Sequence, residues 1–256
     1  MFEKARFIIP VVALSVFVTG CAGNKDKEPV YVNDMEISDP WEDYNRGVFA
    51  FNDALDEAIL EPTARGYRTV TPDFLEDGIG NMLVNLRSPL DFGNQILQGD
   101  GEGALEILTR AMINTTFGVL GFVDLAADTG IPYEKEDFGQ TLAVWGVDYG
   151  PYLVLPLYGP GTVRDHTANF GEAFIDPVRL YLFNTDEEEI YYIISGVSVI
   201  DKRAELLNVL EDLKENSIDY YAAVRSTYYQ NREALIHDRD DENQSVPEVP
   251  SFDEDY

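Results

Sequence analysis

Closely spaced glycines and prolines in the middle of the chain limit its fold more than any other feature of the sequence. The residues concerned are Gly150, Pro151, Pro156, Gly159 and Pro160. A proline cannot donate a helical hydrogen bond, and it pushes the preceding residue toward extended geometry. This spacing excludes a continuous helix. We therefore expect a Gly/Pro-rich irregular segment near residues 138–165, with short extended pieces that turn at the Gly-Pro pairs.

Apolar residues on both sides of this segment recur at the three- and four-residue spacing of amphipathic helices. Asp39 as N-cap and Pro40 at the first helical position predict a helix that ends before Pro62. Thr185 and Glu188 have the pattern of a capping box for a helix in the C-terminal third. Further helices are predicted over residues 72–87, 89–97, 102–116 and 218–235. The predicted fold class is therefore mainly α, a bundle of amphipathic helices.

The most apolar stretch beyond the N-terminus covers residues 111–127, and it is interrupted by Asn114, Gly118, Gly121 and Asp124. A helix that crosses a bilayer needs about twenty apolar residues with few charges. The stretch is too short and too interrupted to meet this requirement. We expect it to pack in the core of the folded domain.

The N-terminus has the pattern of a bacterial export signal. A short basic region precedes an apolar run over residues 7–18, which is too short to span a bilayer but suits a signal-peptide core. The run leads into a lipobox-like motif at residues 18–21, and Cys21 is the only cysteine of the chain. We predict a lipoprotein signal peptide over residues 1–20 and a lipid attached to Cys21. An ordinary secretory signal that happens to end near a cysteine is the alternative.

The chain is strongly acidic, with 47 acidic against 18 basic residues and a net charge of -29. Nucleic acid repels such a chain, which excludes a role that tracks phosphate backbones. Residues 21–37 are polar and predict a lipidated tether, whereas residues 237–256 predict an acidic disordered tail. The folded domain is expected over residues 38–236, a length that suits one large domain or two small ones.

The sequence offers little for catalysis. His166 and His237 are its two histidines, and it has no Gly-x-Ser-x-Gly elbow, phosphate-binding loop or His-Glu-x-x-His motif. Asp165 beside His166 suggests a base with its orienting carboxylate, but a surface or capping role is the preferred interpretation of this pair. We expect no catalytic residues, no metal ligands and no cofactor. A membrane-anchored lipid hydrolase that uses Asp165 and His166 is the alternative.

Several stretches, taken in order over about residues 38–233, resemble the MlaA (VacJ) family of outer-membrane lipoproteins. An early block is Asp39-Pro40-Trp41-Glu42-Asp43-Tyr44-Asn45-Arg46. Later blocks are Leu97-Gln98-Gly99-Asp100, Phe138-Gly139-Gln140-Thr141-Leu142, Trp145-Gly146-Val147, Gly150-Pro151-Tyr152, Leu155-Pro156 and Gly159-Pro160. Their order behind a lipobox makes chance a poor explanation.

The resemblance implies a ring-like bundle of amphipathic helices embedded in one leaflet of the outer membrane of a Gram-negative bacterium, beside a trimeric porin. It also implies a central amphipathic channel through which mislocalised phospholipids leave the outer leaflet for a soluble periplasmic lipid-carrier protein. Ala22, directly after the cysteine, resembles the sorting signal of outer-membrane lipoproteins. The heavy negative charge and the acidic tail depart from the family pattern, and they bear on the porin and carrier contacts more than on the fold.

Two segments are candidates for the channel. The segment from 150 to 161 is the candidate wall or mouth, with a rigid brace against the helices as the alternative. The helix over residues 39–60 is the candidate lining or gate, because Asn45 and Asn52 lie near one helical face; the alternative is that both join core hydrogen bonds. The candidate lipid contacts are Asn45, Phe49, Asn52, Gly150, Pro151, Tyr152, Leu155, Pro156, Gly159 and Pro160. A structural envelope lipoprotein that moves no lipid is a further functional alternative.

Overall fold

The computed structural model describes residues 30–32 and 35–237, with side chains described from Ile37 onward. The first half contains β1 (Val30–Val32), β2 (Met35–Ile37), α1 (Glu42–Leu55), α2 (Glu61–Val70), α3 (Asp73–Gln98), α4 (Gly101–Thr116) and α5 (Leu125–Asp128). The second half contains α6 (Phe138–Val144), β3 (Tyr152–Leu155), β4 (Gly159–Thr162), α7 (Val163–Ile175), α8 (Pro177–Asn184), α9 (Glu188–Glu205), α10 (Leu207–Asn216) and α11 (Tyr220–His237). The predicted signal peptide, Cys21, most of the predicted tether and the tail beyond residue 237 lie outside the described residues.

The fold class is mainly α, as predicted, but the end of the predicted tether is folded. β1 and β2 pair antiparallel, with Val30 opposite Ile37. Ile37 belongs to a buried cluster with Tyr152 and Tyr221. Ordered packing against the helices therefore begins before residue 38.

The first helix differs from its prediction at both ends. α1 begins at Glu42, and the Asp39 carboxylate does not cap it but accepts a hydrogen bond from Asn45 Nδ2 at 2.8 Å. The helical path also does not end before Pro62, because a π-helical turn, Asp56–Leu60, joins α1 to α2, and Pro62 lies in the first turn of α2. A π turn is wider than an α turn, which relieves the contact between a proline ring and the preceding carbonyls.

α3 is a single helix where the prolines predicted two. Pro89 lies inside it, and Arg87 Nε pairs with Asp91 Oδ1 at 2.9 Å across the proline. Arg87 also donates to the Glu136 carbonyl and to Glu172 outside the helix, and these bonds oppose the local cost of about 3 kcal/mol for an interior proline. The helix ends at Gly99, whose φ of 81° is the left-handed conformation that glycine adopts easily. α4 follows as predicted, with the Asp100 carboxylate accepting hydrogen bonds from its first turn.

The apolar stretch over residues 111–127 is not core, and that prediction is wrong. After α4 the chain turns sharply at Val119 and Leu120, whose φ values are 57° and 59° and whose side chains are 70% and 65% exposed. Two polar residues, Asn114 and Asp124, point inward instead. Asn114 Nδ2 donates to Asp124 Oδ1 at 2.9 Å, and Asn114 Oδ1 accepts a backbone N–H of α5 at 3.0 Å. With these two side chains held inside, most of the large apolar side chains of the stretch face outward.

The Gly/Pro-rich segment contains short extended pieces, as predicted. β3 and β4 form an antiparallel hairpin with Tyr152 opposite Thr162. The residues before it are more regular than predicted, because α6 forms there. The Asp137 carboxylate caps this helix by accepting the backbone N–H of Gln140 at 3.0 Å.

The predicted capping box at Thr185 and Glu188 does not form. Thr185 lies at the end of α8, where its hydroxyl donates to the Tyr181 carbonyl at 3.0 Å. Glu188 starts α9, and the preceding Glu187 makes no side-chain capping bond. Threonine hydroxyls also bond to the carbonyl four residues earlier, so a Thr-x-x-Glu pattern does not by itself distinguish a helix start from a helix end.

Burial in the described residues is inverted relative to an ordinary soluble domain. Buried polar and charged residues outnumber buried apolar ones, and exposed large apolar side chains outnumber both. The apolar core consists of two small clusters, whose members are Ile37, Tyr152, Val154, Tyr221 and Tyr229, and Ala64, Ala204 and Leu207. Within residues 30–32 and 35–237, no helix has the length and apolar character to cross a membrane.

Candidate functional site: a charged cavity inside an apolar exterior

Asn45 and Asn52 hold the β3–β4 hairpin against α1. Asn45 Nδ2 donates to the Tyr152 carbonyl at 3.0 Å, and its Oδ1 accepts the Val154 N–H at 2.9 Å. Asn52 repeats this arrangement by donating to the Leu155 carbonyl at 3.0 Å and accepting the N–H two residues further on at 2.9 Å. Each side-chain amide therefore bonds to the strand backbone as another strand would. Since Asn45 is fully buried, its geometry matches the core-hydrogen-bond alternative.

The turn of this hairpin borders a cavity of about 450 Å³ formed with residues of α3, α7, α9 and α11. The hairpin contributes Tyr158, Pro160 and Gly161, and α7 contributes His166. The charged lining residues are Arg87, Lys135, Asp137, Asp165, Glu172, Asp176 and Arg232. Of the predicted lipid contacts, Pro160 is the one that lines this cavity.

One wall of the cavity is a network around Arg232 of α11. Its guanidinium donates to both oxygens of Asp137, at 2.6 and 2.5 Å, and its Nε lies 3.2 Å from Asp165. The Tyr228 hydroxyl also donates to Asp165. Burial alone would raise the pKa of Asp137, but the hydrogen bonds and charge of Arg232 more than offset it and lower this pKa to about 2. Asp137 is therefore a carboxylate at neutral pH.

A second wall surrounds Arg87 of α3. Besides its bond to Asp91, the guanidinium donates to the Glu136 carbonyl at 2.8 Å and lies 3.4 Å from Glu172. Asn94 Nδ2 donates to the other oxygen of Glu172 at 2.8 Å. Asp91 is fully buried, and burial raises its pKa to about 6 although the charge of Arg87 opposes the shift. Both walls thus follow the rule that buried charges are paired and hydrogen-bonded.

Asp165 and His166 do not form a base with its orienting carboxylate. The Asp165 carboxylate accepts a bond from Arg164 Nε at 2.8 Å, whereas His166 Nε2 lies 2.9 Å from the Leu153 carbonyl. Both side chains are buried and Thr162 caps α7, so the surface or capping interpretation is also wrong. Burial lowers the pKa of His166, which keeps the ring neutral at neutral pH.

The other candidate lipid contacts lie away from the cavity lining. Tyr152 is fully buried in the aromatic core, and Phe49 packs against that core. Gly150 and Gly159 have φ values of 64° and 96°, so their role in the hairpin is to allow left-handed turns. The remaining candidates lie on or beside the hairpin: Pro151, Leu155 and Pro156. A lipid contact at these positions stays a prediction.

Apart from Asp165 and His166, which the sequence singled out for a different role, the charged lining of the cavity was not predicted from the sequence. These residues come from separate stretches between Arg87 and Arg232, and single carboxylates carry no signal in a chain with 47 acidic residues. A further hint was that Asp137 directly precedes the Phe138-Gly139-Gln140 block. Within the described part of the chain, no group of His, Cys, Asp and Glu side chains is arranged to hold a metal ion.

The outer surface of α4 and of the turn after it is apolar. Leu105, Leu108 and Met112 share one helical face, and each is more than two fifths exposed. The neighbouring exposed residues are Phe117, Val119, Leu120 and Val123. Contiguous exposed apolar surface marks a protein or membrane contact.

Fold and site together define a class of helical protein that carries apolar side chains outside and charged ones around an interior cavity. The sequence comparison supplies the family. The MlaA lipoprotein family matches residues 37–235, and the chain belongs to this family. The family that the sequence blocks predicted is thereby confirmed.

Characterised relatives share most of the length of the chain. The "Intermembrane phospholipid transport system lipoprotein MlaA" of Haemophilus influenzae is 34% identical over 239 residues and covers 92% of each chain. The Escherichia coli protein of the same name is 32% identical over 222 residues, which is 85% of this chain and 86% of the relative. A solved structure from work on the "Structural basis for maintenance of bacterial outer membrane lipid asymmetry" superposes on this chain with a TM-score of 0.68. The two sequences are 34% identical, and the match covers 78% of this chain and 99% of the other.

Proposed function

We propose that the protein is the outer-membrane lipoprotein component of an intermembrane phospholipid transport system. In this role it removes mislocalised phospholipids from the outer leaflet through an amphipathic channel built around the charged cavity, and so maintains lipid asymmetry. It does this without chemically altering the lipid. The names of the Haemophilus and Escherichia relatives, which align with most of the chain, support the proposal.

A two-chain lipid in transit sets two opposing demands on a protein. Its roughly thirty methylenes cost on the order of 25 kcal/mol when fully exposed to water. Its headgroup carries a comparable penalty in hydrocarbon. A conduit that is polar inside and apolar outside lowers both penalties.

The single observation that carries the proposal is the inverted burial of the described residues. Asp137 and Arg232 are enclosed in the molecule, whereas Phe117 and Leu120 are 75% and 65% exposed. In water this arrangement exposes apolar surface at a cost of about 25 cal/mol per Å². In a leaflet the same surface is solvated by acyl chains, and the charged cavity remains the polar path.

We further propose that an acylated Cys21 anchors the protein in the outer membrane of a Gram-negative bacterium with the domain facing the periplasm. Two or more acyl chains hold a protein on a membrane firmly, whereas one binds only marginally. The apolar face of α4 would then lie in the inner leaflet. Phospholipid from the outer leaflet must then reach a ring in the inner leaflet. The wall of a trimeric porin supplies that path. Lipid that leaves the ring needs a periplasmic carrier to shield its chains.

The test is to purify the acylated protein from its membranes in detergent, identify bound lipid by mass spectrometry and measure outer-leaflet phospholipid in cells that lack the protein. We expect intact diacyl phospholipid on the protein and an excess of outer-leaflet phospholipid in the deletion strain. Free fatty acid release that His166→Ala abolishes would indicate a lipid hydrolase instead. Absence of bound phospholipid together with normal asymmetry would indicate a structural envelope lipoprotein.

A further inference from the structure

Lys135 stands apart from the other cations of the cavity. Arg87 and Arg232 both pair with carboxylates. For Lys135, no carboxylate oxygen within residues 37–237 lies within 4 Å of its ammonium. Lys135 therefore contributes a positive charge to the cavity that this part of the chain does not neutralise.

Of the four charged groups that act most strongly on Lys135, three are cations and one is a carboxylate. Arg87, Arg232 and Lys202 repel its charge, and Asp137 is the acidic group that favours it. Asp137 is already engaged by Arg232 through two hydrogen bonds.

The position of Lys135 suits a bound anion. Its side chain is exposed to the cavity space, yet protein surrounds it, and the resulting desolvation, together with the charge of Arg87, lowers the pKa of Lys135. An anion in the cavity would pair with this ammonium, which no described carboxylate approaches within 4 Å, and partial desolvation of the ammonium strengthens such a pair. The volume of about 450 Å³ suits a headgroup, and Leu90 and Leu235 supply apolar lining beside it.

We propose that Lys135 binds the phosphate of a phospholipid headgroup as the lipid passes through the cavity. The inference rests on the proposed function and adds to it the residue that recognises the substrate. A lysine ammonium binds phosphate as a compact point charge with three rotatable donors, so it accepts headgroups that differ beyond the phosphate. Lys135 thus selects for a phosphate rather than for a particular alcohol.

The experiment compares three variants of the full acylated protein in detergent: Lys135→Gln, Lys135→Arg and Arg68→Gln. Arg68 is exposed on α2, so its replacement removes one positive charge outside the cavity. Each protein is mixed with phosphatidylglycerol or with diacylglycerol, and native mass spectrometry measures the fraction that retains lipid. We expect Lys135→Gln to weaken phosphatidylglycerol binding about tenfold, as for the loss of one charge-assisted hydrogen bond. Lys135→Arg and Arg68→Gln should bind like wild type, and diacylglycerol retention should be equal in all four proteins.

Three outcomes would overturn this inference. Equal phosphatidylglycerol retention by wild type and Lys135→Gln removes the role of Lys135 and leaves the proposed function intact. A parallel loss of diacylglycerol shows that the substitution damages the cavity rather than a phosphate contact. Displacement of phosphatidylglycerol by equimolar inorganic phosphate identifies a site for the free anion. Failure of the wild type to retain any phospholipid would contradict the proposed function itself.

Discussion

Arg232 and Asp137 form a two-pronged buried ion pair, with Nη1 to Oδ2 at 2.6 Å and Nη2 to Oδ1 at 2.5 Å. The pair joins α11 to the N-cap residue of α6, and it closes one wall of the charged cavity. Parallel double hydrogen bonds of this kind are among the strongest polar contacts in proteins. The same two residues therefore shape the cavity and connect distant parts of the chain.

Arg232→Gln should lower the free energy of unfolding by about 3–5 kcal/mol, because it leaves Asp137 and Asp165 buried without their cation. Circular dichroism of the detergent-solubilised protein during denaturant unfolding measures the change. Arg65→Gln is the matched control, since Arg65 pairs with Glu61 and Glu211 on the surface and exposed pairs contribute little. Equal effects of the two substitutions would contradict the assignment of the Arg232 network to the core.

The buried carboxyl of Asp91 should make stability depend on pH. Its folded pKa of about 6 lies above the ordinary 3.8, so the folded state holds the proton more tightly than the unfolded state. The resulting stabilisation is complete below about pH 4 and is lost as the pH rises through 6, by about 3 kcal/mol in total. Asp91→Asn cannot ionise, so it should gain that amount relative to wild type between pH 4 and pH 7. A difference between the two unfolding curves that stays constant over this range would refute the prediction.

The two asparagines that hold the hairpin should differ in importance. Asn45→Ala leaves the Tyr152 carbonyl and the Val154 N–H buried without partners, and we expect a loss of about 3 kcal/mol in unfolding free energy. Asn52 is half-buried and water can replace its bonds, so Asn52→Ala should cost about 1 kcal/mol. Thermal unfolding of both variants in the same detergent gives the comparison. A larger loss for Asn52 than for Asn45 would show that the hairpin is held differently.

Phospholipid should contact residues that line the cavity rather than Asn45 and Asn52. A photoreactive residue at Tyr158, which is half-exposed and lines the cavity, should form adducts with phospholipid in native membranes. The same residue at Asp212, an exposed position of α10 outside the cavity lining, should form few. Mass spectrometry of the adducts is the measurement. Equal labelling at both positions would mean that the crosslinker reports the bulk membrane and not the cavity.

The apolar exterior should determine membrane binding once the lipid anchor is removed. In a Cys21→Ala background, Phe117→Asp with Leu120→Asp should reduce partition onto phospholipid vesicles at least about tenfold, because each side chain contributes about 1.5–3 kcal/mol when buried in hydrocarbon. Asn216→Asp adds a negative charge at an exposed polar site and serves as control. Vesicle flotation measures the bound fraction. Unchanged partition of the double variant would place the membrane face elsewhere.

Several local features were predictable because they depend on neighbouring residues. Helical spacing indicated the mainly α class, and the Gly150-to-Pro160 pattern indicated short extended pieces that the structure confirms as β3 and β4. The predicted helix boundaries at Pro62 and Pro89 are wrong. A π turn precedes Pro62, and across Pro89 the Arg87 guanidinium pairs with Asp91 and also contacts Glu136 and Glu172, which are distant in sequence.

The sequence alone determined the helical class, the short extended pieces and the family, because spacing, turn residues and ordered blocks are properties of the chain itself. Tertiary structure alone decided which side of each helix is the inside. An apolar run such as 111–127 has the same sequence pattern whether protein or acyl chains surround it. Its exposure was therefore not predictable from the sequence. The charged cavity likewise exists only after folding, because Arg87, Asp137 and Arg232 are distant in sequence and a pairwise electrostatic contact depends on separation in space.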